Sequence, residues 1–443
     1  MKIQLSDHFT YGRLLRFTLP SIVMMIFTSI YSVVDGMFVS NIVGANALSS
    51  INIIMPLIMV VGAFGFMLGT GGCAEVSKTL GEGDGKRADE YFSLLISTII
   101  VIGVSLSAVC IIFIRPVARL LGASDILMAD CITYGVILLA GCTFFMLQTS
   151  FQTFFIAAER PHLGLALTVA SGVANMVFDF LFVYVLRMGI AGAAFATVIG
   201  YAIGGLVPLF YFLAPNGSRL RLIRPRWYPR VLLRSSVNGA SEMLSNISAS
   251  IVTFLYNIQM MRLAGESGVA AITVIMYVNF IFVAILIGFA MGSAPIISYQ
   301  YGARGYDELK NLFRKCSTVI LLCSAAMAAL AELTARPVVS FFVGADAALM
   351  EMTVRGFRLY ALAFLFCGVN IFASSFFTSL CNGRISAIIS VLRSLVLQGI
   401  LILVLPRLLG LDGVWLTAVF TEAGTLLVSL FFLLREKNEY FYL

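Results

Sequence analysis

The sequence predicts an all-α polytopic membrane protein whose twelve transmembrane helices form two six-helix repeats. Three observations carry this expectation. Of 443 residues, 60% are hydrophobic and only 12% are charged, about half the charged share of a soluble domain. Apolar stretches of twenty-odd residues alternate with short polar breaks, the length needed to cross a bilayer core about 30 Å thick. One residue offset superposes the first half of the chain on the second. Mean hydropathy is +0.99, and open β-structure is excluded because each backbone group left unpaired in lipid costs several kcal/mol.

In chain order the spans are expected at 14–38, 51–77, 91–114, 132–157, 163–186, 189–213, 236–261, 268–297, 312–334, 356–380, 386–406 and 412–434. Of the 29 Lys and Arg residues, 21 fall at the termini and on alternate loops. By the positive-inside rule these positions are cytoplasmic, so both termini lie inside and the number of spans is even. The expected location is the inner (cytoplasmic) membrane, multi-pass. The first apolar run has the length of a span and lacks a small-residue cleavage site, so it is expected to stay in the membrane.

A basic segment divides the chain near its middle: an N-terminal lobe over 1–215, a linker over 216–235 and a C-terminal lobe over 236–443. The loop 215–234 carries six arginines and three prolines. It reads as a cytoplasmic linker with Trp227 and Tyr228 anchored at the interface, because positive-inside bias already demands those charges. A shift of 221 residues lays Gly44 on Gly265, Ile51 on Ile272, Met55 on Met276, Gly71 on Gly292, Gly81 on Gly302, Arg115-Pro116 on Arg336-Pro337 and Gly189 on Gly410. Both repeats start inside, so they are parallel and related by an axis along the membrane normal, with a substrate path between them.

An ionisable side chain within a span costs about 2.5–3.5 kcal/mol on insertion scales and marks function by default. Asp35, Asp179, Glu242 and Glu422 stand inside spans, with Arg393 as a partner for Glu422. Asp35 and Asp179 rise about 30 Å and about 24 Å from their cytoplasmic ends, which puts them in one outer layer. Asn175 precedes Asp179 by one turn on the same face, and Thr197 lies about 12 Å below the outer start of the sixth span. Two carboxylates, an amide and a hydroxyl suit a hard cation, or a proton shared between acids that resist ionising together. For Asp35 alone, a wetted place at the outer interface is an equal reading. Glu242, about 9 Å into the seventh span, and Asn246 and Asn257 beyond it are candidates for a substrate path. Glu422 with Arg393 reads as a structural ion pair. Glu75, Glu332 and Glu351 sit near span ends and are expected to be solvated.

Other chemistry lacks support. The eight cysteines are scattered with no CxxC pair, and His8 and His162 have no metal-ligand spacing. No P-loop, G-x-S-x-G or HExxH motif occurs, so neither an enzyme nor a cofactor is expected.

The proline-containing first span followed by VDGMFVSNIVGANALSS, then GEGDGKRADEYF after the second span and NMVFDFLFVYVLRMGIAGAAFATVIGY across the fifth and sixth, resembles MATE (multidrug and toxic compound extrusion) transporters over the whole chain. The resemblance implies an antiporter that exchanges H+ or Na+ for cationic amphiphiles, with a cation site at Asp35, Asn175, Asp179 and Thr197. The expected partners are small-molecule organic cations and membrane lipid, with no nucleic acid. Na+ as coupling ion is the one metal expected, and the protein is expected to act as a monomer. The sequence departs from the family in two places. The repeat offset carries Asp35 onto Tyr256, so no acid is duplicated, and the position of Glu242 within NGASEMLSN differs from some branches of the family. The alternative is a flippase for a lipid-linked oligosaccharide, which needs several basic side chains around a pyrophosphate. The charges that stand well inside spans, Arg393 apart, are acidic, which favours cationic cargo.

Overall fold

Each apolar stretch folds as a helix because only a helix, among open structures, satisfies its own backbone in lipid. The computed structural model describes residues 3–343 and 346–442, and these contain no strand. The first lobe is built from α1 (Tyr11–Ile42), α2 (Ala45–Gly81), α3 (Gly85–Ile112), a short α4 (Ile114–Leu120), α5 (Met128–Ala157), α6 (Pro161–Asp179) and α7 (Gly189–Leu213). A π-helical turn, Phe180–Val185, extends α6. The second lobe contains α8 (Pro229–Gly302), α9 (Tyr306–Val343), α10 (Ala347–Ala361), α11 (Phe364–Ser379), α12 (Gly383–Val391), α13 (Gln398–Leu409), α14 (Leu411–Arg435) and α15 (Lys437–Tyr440), with a second π-helical turn, Leu392–Leu397, between α12 and α13.

Among the described residues ten helices are long and apolar enough to span a membrane, or eleven when α10 and α11, bent by 48°, count as one span. The 74-residue α8 holds two crossings, which makes twelve. Its two arms meet at Gly265, where φ is 63° and ψ −150°. The sequence places a loop there over 262–267, and the chain instead turns about one glycine. A single span is also expected over 356–380. It breaks after Ala361 because Ala363, Leu365 and Phe366 each donate to the carbonyl three residues back, tightening the helix.

The backbone repeats with the sequence. Gly44 and Gly265 both have positive φ, at 106° and 63°, as do Gly189 and Gly410, at 59° and 60°. A residue with a Cβ pays a steric cost in that region, so glycine marks both turns in both lobes. The helices that follow the second turn, α7 and α14, each have 25 residues.

The lobes meet where α1 and α2 lie against α8, and glycine lets the backbones approach. A Cβ on Gly239 would lie 1.8 Å from the Met67 carbonyl oxygen, and one on Gly71 2.1 Å from that of Ser235. At Gly81 and Gly302 the clashes, with the Tyr299 and Lys78 carbonyl oxygens, would be at 2.0 Å. All these crossings lie at the basic ends of the helices, whereas nothing lies within 4 Å of Gly44 and Gly265 at the opposite ends. The seam is therefore closed on the basic side.

Two segments cover that side. Leu5 and Phe9, ahead of α1, are fully buried. The Leu5 N–H donates to Glu159 of the first lobe at 3.0 Å, and its carbonyl accepts from Gln300 of the second at 3.0 Å. The Phe9 N–H donates to Glu308 at 2.9 Å, and its carbonyl accepts from Lys315 at 2.6 Å. The basic segment after α7 lies along α3: Arg221 N–H donates to Asp89, Ile223 N–H to Ser93, and the Tyr228 hydroxyl to Glu90 at 2.6 Å. Trp227 is exposed, and Tyr228 is tied to α3. Glu75 differs from expectation: it is buried beneath Arg234, 3.9 Å away, where the first turns of α8 cross the end of α2.

Candidate functional site

Glycine and alanine along α7 let it pack closely on α6. A Cβ on Gly200 would lie 3.1 Å from the Ser171 carbonyl oxygen and from Asn175 Cβ. A ladder of polar contacts fills this crossing, with Gln148 donating to Ser171 at 3.1 Å and Ser171 to the Gly200 carbonyl at 2.7 Å. Two turns above Gly172 on α6 stands Asp179. At Gly172 itself an added Cβ would meet the Phe27 ring at 2.6 Å and the Tyr31 ring at 3.6 Å. Glycine here draws α1 against α6, and one turn beyond Tyr31 is Asp35.

The result is a single constellation. Asn175 and Asp179 are 1% and 2% exposed, and Thr197 is 8% exposed. With the Asn175 amide oriented to satisfy both its ends, Nδ2 donates to Asp179 Oδ2 at 3.1 Å and Oδ1 accepts from the Thr197 backbone N–H at 3.1 Å. Thr197 Oγ1 donates to the Ala193 carbonyl at 2.9 Å. Asp35, half-buried, is in hydrogen-bonding contact with Asp179. One oxygen of each carboxylate, Oδ1, is buried without a partner. Two acids in contact cannot both stay ionised without a proton or a cation between them, and two unpartnered oxygens supply the ligands.

Asp179 is the last α-helical residue before the π-helical turn. A π turn frees the preceding carbonyls from the regular ladder and often accompanies functional sites. Sequence reasoning missed three tyrosines, Tyr31, Tyr134 and Tyr201, that lie within electrostatic reach of Asp35. Tyr31 and Tyr201 were legible by spacing, one turn from Asp35 and from Thr197 on the same faces; Tyr134 carries no such signal.

The structure does not bring the second set of residues into this group. Glu242 is half-buried in the first arm of α8, within electrostatic range of Arg393. Asn246 turns its amide back onto the Glu242 carbonyl at 2.8 Å, and Asn257 is half-buried a few turns on. Arg393 and Glu422 do pair, Nε to Oε1 at 2.7 Å, and Asn370 holds the other carboxylate oxygen at 2.7 Å.

A family model, MatE, matches residues 20–181 and then residues 243–404. The chain belongs to the MatE family. The same model fitting twice also marks the internal repeat that the 221-residue offset shows. The MatE chain is 22% identical over 440 residues to the multidrug export protein MepA of Staphylococcus haemolyticus (strain JCSC1435), covering 97% of this chain and 94% of the relative. Similar solved structures include a crystal structure of MATE in complex with MaL6, with a TM-score of 0.92 at 21% identity over 98% of both chains. Another is the outward-facing conformation of a multidrug resistance MATE family transporter of the MOP superfamily, with a TM-score of 0.91 at 21% identity over 98% of this chain and 97% of that one. At such identities the likeness establishes the fold, a multi-pass membrane protein of two six-helix lobes.

Proposed function

We propose that this MATE transporter is an antiporter that uses inward flow of H+ or Na+ to export cationic amphiphilic compounds across the inner membrane. The observation that carries the reading is the Asp35–Asp179 contact, with Asn175 and Thr197 beside it and one unpartnered oxygen on each acid. The site lies in the outer half of the first lobe, while the seam is closed on the basic side. With both termini cytoplasmic, the closed side of the seam faces the cytoplasm and the site takes its coupling ion from the opposite side. The name of the staphylococcal relative, a multidrug export protein, agrees with cargo of this kind.

No observation favours the flippase. Arg393, well inside the eleventh span, is neutralised by Glu422 at 2.7 Å, so it offers a pyrophosphate no free cation. Antiport requires ion and cargo to prefer different conformations, and linkage makes their antagonism reciprocal. The test is to titrate an organic cation onto purified protein across pH, with and without Na+, and to follow its transport in sealed vesicles under separately imposed proton and Na+ gradients. Cargo affinity that responds to neither ion, with efflux indifferent to both gradients, defeats the proposal.

A further inference from the structure

The basic segment between α7 and α8 carries more charge than its contacts use. Its six arginines are Arg219, Arg221, Arg224, Arg226, Arg230 and Arg234, and acids on the first lobe meet only some of them. Glu159 pairs with Arg219 at 3.2 Å, Glu90 with Arg226 at 3.5 Å and Glu75 with Arg234 at 3.9 Å. Asp89 accepts from the Arg221 N–H and stands in electrostatic reach of its guanidinium. Arg224 and Arg230 are exposed and have no acidic partner among the described residues. Positive-inside bias accounts for arginine on this side of the membrane. It does not account for two unpaired guanidiniums placed three residues to either side of Trp227, an indole that is 74% exposed.

The backbone that presents these groups is held in place. Leu220 is fully buried, the Ile223 N–H donates to Ser93 at 2.8 Å, and the Tyr228 ring packs edge-on against Tyr91 at 5.2 Å. Pro225 and Pro229 restrict the chain on either side of Trp227. On α8, Arg230, Leu233 and Val237 follow at helical spacing on one face, and Leu233 and Val237 are exposed. By helix rise the arm from Pro229 to Gly265 is about 54 Å long, against about 40–45 Å for a bilayer with its headgroups. The first turn of α8 therefore lies among the headgroups, and the same face becomes apolar as it enters the hydrocarbon.

We infer that this surface binds an anionic phospholipid of the leaflet on the basic side, with Arg224 and Arg230 on the phosphate, Trp227 against the headgroup and Leu233 and Val237 along the first part of an acyl chain. A guanidinium meets phosphate oxygens through its planar fork, and an indole suits the headgroup layer. The two unmatched positive charges select a lipid of net negative charge over a zwitterionic one, whose own cation cancels its phosphate. The place of the site in the fold gives the lipid a role. Residues 220–228 are tied to α3 of the first lobe and Pro229 begins α8 of the second, so the lipid sits at the covalent joint of the two lobes.

The test depends on neither the coupling ion nor the cargo. The chain has two tryptophans, and Trp415 is 1% exposed, so Trp227 reports the lipid beside it. Full-length protein is reconstituted in phosphatidylcholine bilayers in which dibrominated phosphatidylglycerol or dibrominated phosphatidylcholine replaces part of the lipid. Quenching is measured after subtracting the signal of Trp227→Phe, which retains only Trp415. Each basic side chain near a membrane surface is worth about fivefold, so two give wild type a preference for phosphatidylglycerol of about 25-fold. In Arg224→Gln/Arg230→Gln the preference falls to about one. In Arg304→Gln/Arg314→Gln, which removes the same charge from exposed arginines on the same side of the second lobe, it is retained. Equal quenching by the two lipids in wild type, or an equal fall in both double variants, overturns the inference. Relief of quenching by millimolar soluble glycerol phosphate assigns the site to a free phosphate compound and overturns it as well.

Discussion

Replacing Gly239 by alanine tests whether the closed seam on the basic side is one of two working states. The added methyl would sit 1.8 Å from the Met67 carbonyl oxygen and 2.7 Å from its carbon, where ordinary contact begins at 3.4 Å. The helices must therefore separate by about 1.6 Å, and neither partner can move aside by a rotamer change because both are backbone. Overpacking of this kind costs about 1–3 kcal/mol. The cost falls only on the closed state, so the population with the seam open rises by about 5-fold to 150-fold. Opening the seam breaks the bonds by which Leu5 joins Glu159 to Gln300, since those partners belong to different lobes. Hydrogen exchange of a peptide covering residues 3–12 reports that population, because local opening limits exchange there. Gly85→Ala, at the same membrane face with nothing within 4 Å, is the control and should exchange like wild type. Equal exchange in the two variants would falsify the idea that the crossing sets the conformational balance.

Three further outcomes follow from the same contacts. Asp179→Asn keeps the side-chain volume and a bond to Asn175, so insertion and melting temperature should change little while gradient-driven efflux of an organic cation is lost; normal coupled efflux by a well-folded variant would remove Asp179 from the site. Glu242→Gln should weaken binding of a cationic dye by several-fold, on the scale of one charge-assisted contact, and spare a neutral dye, and equal loss for both would assign Glu242 a structural role. Glu308→Ala removes the acceptor of the Phe9 N–H and of an Asn311 amide hydrogen, so residues 3–12 should exchange faster while Asp179-dependent ion binding is unchanged. Unaltered exchange would show that burial of Leu5 and Phe9 holds the segment without that carboxylate.

How much of this was legible in the sequence depends on what each feature needs. The twelve crossings follow from length and hydropathy, which lipid enforces strongly. Asn175 and Asp179 share a helix face by spacing alone, and the helix-rise arithmetic set Asp35 at their level. The contact between the acids was another matter. It depends on Gly172 admitting Phe27 and Tyr31 beside α6, and no periodicity says which glycine faces another helix. The π-helical turn after Asp179 was equally silent, since nothing in FLFVYV departs from an α-helical pattern. The bend between α10 and α11 has no proline or glycine at Leu362–Ala363 to announce it. The burial of Glu75 was not legible because charge alone could not show that Glu75 and Glu90, on two helices, stand beneath arginines of the basic segment.

The placement of α1 links the ion site to the seam. At its start, Phe9 is tied to Glu308 and Lys315 of the second lobe. Further along, Thr18, Ser21 and Ile22 lie against Gly288 and Gly292 of α8, where an added Cβ would come within 2.6 Å and 3.0 Å. In its second half the same helix rests on Gly172 and presents Asp35 to Asp179. One helix thus belongs to the ion site at one end and to the seam at the other. Pro20 lies within the seam contact, between Thr18 and Ser21, and leaves one backbone hydrogen bond unmade, a place where the part of α1 that carries Asp35 can reorient at low cost. Under the proposed function, the charge on the Asp35–Asp179 pair sets how firmly α1 is held to α6. Neutralising that pair removes a repulsion and lets α1 settle differently against α8, so the ion acts on the lobe crossing through a rigid element that both sites share. The glycine crossings sharpen this response. Backbones in contact at Gly71, Gly239 and Gly302 have no side chains to deform, so the seam is either engaged or apart, and a small shift of α1 becomes a choice between two packed states.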